Sequence, residues 1–467
     1  MSRPHPPDEA PSRPRPPEAW EPLVRIARMA ARPLERFLGI EAASGILLLL
    51  ATAVALAFAN SAWAGAYTAF WATPIGVHAG PFAFERSLSW WVNDGLMVIF
   101  FFVVGLEIRR EIDRGELSDA RRAALPVAAA VGGMVLPACL YLALTHEPST
   151  RAGWGAAMAT DIAFAVGVLT LLGKRAPSSL RVLLLAVAVI DDLGAIIVIA
   201  LFYSSGLSLA GGAVALLGFV LVLALQRFGV RAKLAYVLPA LVAWAGTYAL
   251  GVHPTIAGVL LGLMTPVRAW LGTEGFVRDV KGELERIEQR PSEANAHELA
   301  GHLRTVGAAR REALSPAESL IEGMHPWVAF GVMPVFALAN AGVSFAGFVP
   351  SEATISVAAG ITVALVLGKP IGIALAIALT LRLGLAALPS GIGRRHLFLL
   401  GVVAGIGFTM SLFIAQLAFG DPRLLAAAKI GVLAASGLAG TVAFVVGRLL
   451  LRDAPPLITA EAEHQGS

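Results

Sequence analysis

Hydrophobic residues run through this chain in blocks rather than in alternation. About twelve apolar blocks occur, near residues 40–59, 90–108, 123–144, 153–173, 180–203, 208–226, 232–250, 252–267, 325–345, 354–381, 396–419 and 424–450. Roughly 20 apolar residues in a helix cross about 30 Å of hydrocarbon. The pattern therefore predicts an all-α polytopic membrane protein of about twelve transmembrane helices. The block 252–267 is the shortest and the weakest span.

Two connections break the pattern. Within residues 60–89, Val77, Phe82 and Phe84 flank a Gly-Pro turn with partial alternation, which predicts a small outer β-hairpin. Residues 268–323 are long and charged, and VKGELERIEQR (280–290) reads as helical up to Pro291. This stretch is expected to be a solvated loop. Residues 1–20 are Pro-rich and aperiodic, the composition of a disordered tail. Leu23–Leu38 places apolar residues at helical spacing among Arg25, Arg28, Arg32 and Arg36, as in a helix lying on an anionic membrane face. The expected organisation is tail and surface helix over 1–38, a membrane domain over 39–453 and a second tail over 454–467.

Composition agrees. Hydrophobic residues make up 57% and charged residues only 15%, where a soluble domain carries about 25% charged residues. The isoelectric point near 9.4 raises nucleic acid as a partner. The basic residues sit between apolar blocks, however, which is a topology signal and argues for no nucleic acid. One set of alternate loops holds Arg109, Arg110, Arg114, Arg121, Arg122, Lys174, Arg175, Arg181, Arg227, Arg231, Lys233, Arg382, Arg394, Arg395 and Arg452; the other holds only Arg86, Arg151 and Arg423. An even number of spans with both termini cytoplasmic follows. No cleavable leader is evident ahead of the first block. Cys139 is the single cysteine, so no intramolecular disulfide can form.

The candidate chemistry lies in charges buried within the blocks. Leu183–Tyr203 carries Asp191 and Asp192 at its centre. An Asp at the bilayer centre costs roughly 2.5–3.5 kcal/mol on insertion scales. Two adjacent carboxylates also repel, so the pair is expected to face a wet cavity and to hold positive charge. Asp161, beside Thr160, sits in the preceding block. It reads either as a functional carboxylate or as the cap of a helix break. Lys369 lies mid-span, where a lone ammonium needs a carboxylate, and only Asp161, Asp191 and Asp192 lie deep enough. Which of them it pairs with stays open. Pro370 removes a backbone donor, so a kink is expected there. Gly401, Gly405 and Gly407 mean either close helix packing or unwound backbone. Glu107 and Glu111 share a helix face with Arg110 between them and read first as an interfacial ion-pair cluster. His253 and His325 read as interfacial histidines, and Asn340 as an interhelical hydrogen bonder.

Taken together, ATDIAFAVGVL, AVIDDLGAI, GVHPTIAGVL, HPWVAF, NAGVS, LGKPIGI and GIGFTMSLFIAQLAF resemble the signature stretches of the NhaA-type sodium/proton antiporters of bacterial inner membranes. WVNDGLMVIFFFVVGLEIRRE is similar to the same family's second span, and the likeness runs in order from about residue 40 to 450. It implies inverted repeats and two discontinuous crossing helices, for which this family is a standard example. One would break at Thr160–Asp161, the other at Gly405–Gly407. Asp161 would neutralise facing helix N-termini and Lys369 facing C-termini. The likeness makes Asp192 and Asp191 the Na⁺ site, pairs Lys369 with Asp191, and moves Glu107, Arg110 and Glu111 from a bland cluster to pH regulation. It implies electrogenic exchange of Na⁺ or Li⁺ for H⁺ by alternating access, no resident cofactor, and a homodimer through residues 60–89. The long Pro-rich tail and the loop 268–323 depart from the family pattern. Three competing readings are a transporter of another solute, a channel, and an intramembrane aspartyl protease using Asp161. The last leaves Lys369 unexplained.

Overall fold

The computed structural model describes residues 43–451, apart from 81, 205, 207, 270, 290–295, 347 and 390. The tail and surface helix expected over 1–38, the tail over 454–467 and the stop at Pro291 lie outside the described residues. The described residues are mostly helical, with one small sheet among them.

The first helix, α1 (Ala43–Ala59), turns through 113° into α2 (Ala64–Ala72). Strands β1 (Pro74–Ala79) and β2 (Phe82–Ser87) follow, antiparallel, with Val77 opposite Phe84. The expected hairpin is therefore real but narrower than 60–89, because residues 64–72 are helical. Nothing in AGAYTAFWA marks it as a separate helix except its lack of turn residues.

Next come α3 (Met97–Arg114), entered through a wide π turn at Trp91–Leu96, and α4 (Ala120–Leu144). A 3-10 segment, Ala152–Ala157, leads to α5 (Ile162–Leu171) across a 48° bend. Helix α6 (Ser178–Phe202) carries the Asp pair at its centre. Helices α7 (Leu209–Arg227) and α8 (Val237–Leu250) pack through glycines: a Cβ on Gly246 would fall 2.1 Å from the Ala215 nitrogen. The short α9 (Thr255–Met264) matches the weakest expected span.

The charged stretch is itself helical, as α10 (Gly272–Gln289) and α11 (Ala296–Ala313). Its end, α12 (Pro316–Trp327), runs through a π turn at Val328–Val332 into α13 (Met333–Asn340). The span expected from 325 thus starts earlier, with a Ser315–Glu318 capping box. Helix α14 (Glu352–Val363) reaches α15 (Lys369–Arg382) through a third π turn, Ala364–Gly368. The kink expected at Pro370 takes this form: the wider turn absorbs the missing donor. Helices α16 (Arg394–Ala404) and α17 (Phe408–Ala418) meet at a 42° bend, and α18 (Pro422–Leu450) closes the fold.

Among the described residues, eight helices are long and apolar enough to cross a membrane, or up to eleven if each bent pair is one span. The chain is a multi-pass membrane protein. Its outer faces show large exposed apolar residues, such as Leu216, Leu238 and Leu375, which suits contact with lipid rather than water.

Candidate functional site

The site forms where two breaks cross. One lies between Ala157 and Ile162, the other between Ala404 and Phe408. Each leaves helix ends whose backbone groups have no partner within their own helix. The breaks supply partners for each other. The Asp161 amide donates to the Ile406 carbonyl at 2.7 Å, and the Thr160 hydroxyl donates to the Ala404 carbonyl at 3.0 Å. Gly407 is required here, because a Cβ would fall 2.1 Å from Ser411 Oγ and 2.9 Å from the Ala159 carbonyl. Gly405 is held similarly against the Leu365 carbonyl. Of the two meanings open for the glycines of this stretch, unwound backbone holds for Gly405 and Gly407, and close helix packing for Gly401, which lies within α16 with its Cβ position 2.8 Å from Pro370 Cα.

Two buried charges complete the crossing. The Asp161 side chain caps α5 by accepting from the Phe164 amide at 3.0 Å. Its other oxygen accepts from the Thr409 amide at 3.1 Å and from the Thr409 hydroxyl, in the first turn of α17. One carboxylate thus sits at two helix N-termini, where negative charge is favoured. Lys369 does the converse. Its ammonium donates to the Met158 carbonyl, at the end of the 3-10 segment, and to Asp191 Oδ2 at 2.7 Å. Among the three carboxylates left open by elimination, Asp191 is the partner.

Asp191 and Asp192 are both 1% exposed, as is Lys369. One oxygen on each, Asp191 Oδ1 and Asp192 Oδ2, is buried with no hydrogen-bond partner among the described residues. Thr160 lies beside Asp191, and Asp192 feels the negative charges of Asp191, Glu107 and Asp161. Thr160, Asp161, Asp191, Asp192, Lys369, Gly405 and Gly407 therefore share one cluster, with Glu107 within electrostatic reach. A buried acceptor without a donor is costly. Two adjacent ones make a place for a cation or a proton.

At the basic end of α3, Arg110 and Glu111 act on Glu107 at longer range than a close ion pair. Glu111 Oε2 accepts the Glu116 amide at 3.0 Å and so holds the turn after the helix. Arg114 lies 3.8 Å from Glu318 on α12. Among the described residues no ion pair joins Arg110 to Glu107 or Glu111. Asn340 does bridge helices, donating to Asn93 Oδ1 and accepting from Gln416, both at 2.7 Å. His253 sits 3.5 Å from Asp94 and is buried rather than interfacial. Sequence reading passed over Ser436, which accepts the Phe408 amide at 3.1 Å and helps cap α17. Its signal was a hydroxyl in an apolar span, shared there with Thr441.

Comparison with known proteins points the same way. The family profile described as Na+/H+ antiporter 1 matches residues 35–447. The chain is 65% identical over 437 residues to the Na(+)/H(+) antiporter NhaA 2 of Myxococcus xanthus, covering 93% of each. It is 55% identical to the protein of that name from Sorangium cellulosum, covering 94% of each. It is 50% identical to one from Pseudomonas putida, over 92% of this chain and 96% of the relative. The chain belongs to the NhaA-type Na+/H+ antiporter family.

Proposed function

We propose that this protein exchanges Na⁺ or Li⁺ for protons at Asp191 and Asp192. The observation that carries the reading is the pair of adjacent buried carboxylates, each with one unpartnered oxygen. Na⁺ and Li⁺ are hard cations that prefer oxygen ligands. The two free oxygens supply charge, Asp192 as the principal ligand, and Thr160 or a carbonyl at the breaks completes the shell.

Competition then drives exchange. Na⁺ binding adds one positive charge to a cluster already holding Lys369, so protons on the carboxylates are expelled. Protons arriving from the other side expel Na⁺. The titration belongs to the coupled cluster, not to one side chain. Lys369 either carries a proton, released when Asp191 engages Na⁺, or serves as a fixed counter-charge. A mismatch of proton and sodium charge per cycle makes the exchange electrogenic. Asp161, with both oxygens committed to helix ends, stabilises the broken crossing. That commitment also weighs against the protease reading, which needs Asp161 free to share a proton.

In this reading the protein sits in a bacterial inner membrane with both termini cytoplasmic, and the inward proton gradient expels Na⁺. The fold is an inverted repeat of about twelve spans that alternates access around the crossing. Glu107, Arg110 and Glu111 tune activity to pH, and the hairpin of β1 and β2 joins two copies. A carrier of an organic anion is disfavoured by the two carboxylates.

Everted vesicles test the site. Asp192→Asn is expected to abolish Na⁺-driven proton release while the protein still inserts. Exchange at the wild-type rate would overturn the assignment. Glu107→Gln should move the pH profile of activity; an unmoved profile would remove Glu107 from regulation.

A further inference from the structure

We propose that six side chains form a two-layer barrier closing the hairpin side of the ion site. Three helices each contribute one ring and one amide. Helix α17 gives Phe413 and Gln416, α13 gives Phe336 and Asn340, and α3 with its leading π turn gives Phe101 and Asn93. The proposal rests on the ion-exchange reading and adds the device that makes access one-sided.

The rings lie nearer the crossing. Phe101, Phe336 and Phe413 are at most 1% exposed. Phe413 centres the group, 5.2 Å from Phe101 and 6.2 Å from Phe336 by ring centroids, with His253 at 5.3 Å. The amides form the outer layer. Gln416 donates to Asn340, and Asn340 donates to Asn93, each at 2.7 Å. Asp94, next along, faces His253 at 3.5 Å.

Spacing fixes the order of the layers. On α17, Thr409 touches Asp161, Phe413 follows about 6 Å along the axis and Gln416 about 10 Å along, at 1.5 Å rise per residue. On α3 the order from the Glu107 end is Phe101, then Asn93. On α13 it is Phe336, then Asn340 one turn on.

The two layers do different work. Packed rings exclude water and ions, as apolar constrictions do. An amide chain is held by hydrogen bonds that each contribute little net stability, so it can open and reclose. Thr409 and Gln416 lie seven residues apart, two turns along one face of α17. A shift at Asp161 is therefore carried along α17 to the latch, and opening this side breaks the Gln416–Asn340–Asn93 chain.

Purified full-length protein in liposomes tests this under an imposed proton gradient without sodium. Phe413→Ala with Gln416→Leu is expected to speed the sodium-free proton leak about fivefold, the scale set by one lost hydrogen bond. The same increase is expected in an Asp192→Asn background, where exchange is gone. Gln416→Leu alone keeps the bulk of the side chain at a half-exposed position. It should raise deuterium uptake of residues 408–418 roughly fivefold on the same scale. Leak and uptake both equal to the parent would overturn the barrier. A parent lacking Na⁺/H⁺ exchange would overturn the function instead, while leak and uptake still judge the barrier.

Discussion

Two acid–base contacts of nearly equal length sit at opposite extremes of the molecule. Lys369 meets Asp191 at 2.7 Å within the membrane, with each side chain 1% exposed. Glu283 meets His302 and Arg286, each at 2.6 Å, on the charged insert of α10 and α11. Geometry alone does not separate them. Surroundings and saturation do. Glu283 uses one oxygen for Arg286 and the other for His302. Asp191 gives one oxygen to Lys369 and keeps the other unpartnered among the described residues. Glu283 itself is covered, its side chain 9% exposed, but Arg286 at 69% and His302 at 31% reach water, which solvates the separated partners nearly as well. In the membrane no such alternative exists. A half-satisfied pair persisting there is what the proposed exchange of cation and proton would need.

Breaking the buried pair should give the largest effect. Lys369→Ala leaves Asp191 without its partner in a buried site and takes a donor from the Met158 carbonyl. Loss of one partner of a buried pair costs about 3–5 kcal/mol. Thermal unfolding in detergent should show it as a large fall in midpoint. Replacing both partners, Asp191→Asn with Lys369→Met, should recover much of the stability but none of the exchange. A single variant as stable as the parent would mean that water reaches this pair as freely as it reaches Arg286.

Asp161 comes next. Its two oxygens accept from Phe164 and from both polar groups of Thr409. Asp161→Ala strands those donors at two buried helix starts, at about 1–3 kcal/mol for each unsatisfied group. Relaxation of the crossing should limit the total to about 2–3 kcal/mol, as for other lost caps and buried bonds. Asp161→Asn keeps one acceptor oxygen and should lose roughly half of that. Thermal midpoints of the two variants check the order. Asn falling as far as Ala would assign the stabilisation to charge rather than to hydrogen bonding.

The same contrast explains what was legible in the sequence. Charges in oil announce themselves, so Asp161, Asp191, Asp192 and Lys369 stand out by their place inside apolar blocks. Their partners do not: elimination leaves three carboxylates for Lys369, and the family likeness chose among them. The break at Gly405–Gly407 is visible because glycine is the residue that such close backbone contact demands. The break at Met158–Thr160 is only half visible, because Asp161 reads as a possible helix cap while AAMAT suits a helix, and contacts from α15, α16 and α17 hold it open. The π turns before Met97, Met333 and Lys369 leave no period of their own, and only Pro334 and Pro370 hint at two of them. On the insert, charge signals exposure, but nothing short of the fold pairs Glu283 with His302 across the gap between two helices.

The smallest effect belongs to that insert. Its hydrogen bond to His302, helped by Arg286 nearby, holds the Glu283 carboxyl below the ordinary glutamate range. A carboxyl lowered on folding lends stability above its unfolded value and loses it as pH falls through the folded one. Acidifying below the ordinary glutamate range should therefore loosen α10 against α11, while neutral or alkaline pH keeps the contact. Deuterium uptake of residues 272–289 should rise on acidification in the parent. It should already be raised, and insensitive to acid, in Glu283→Gln. High salt should raise uptake in the parent as well, since the exposed Arg286 charge is screened within about 10 Å at 0.1 M. Na⁺/H⁺ exchange and the unfolding midpoint should barely move in Glu283→Gln. A midpoint falling as far as in Lys369→Ala would erase the distinction between the two contacts and show the insert to be bound into the fold as tightly as the membrane core.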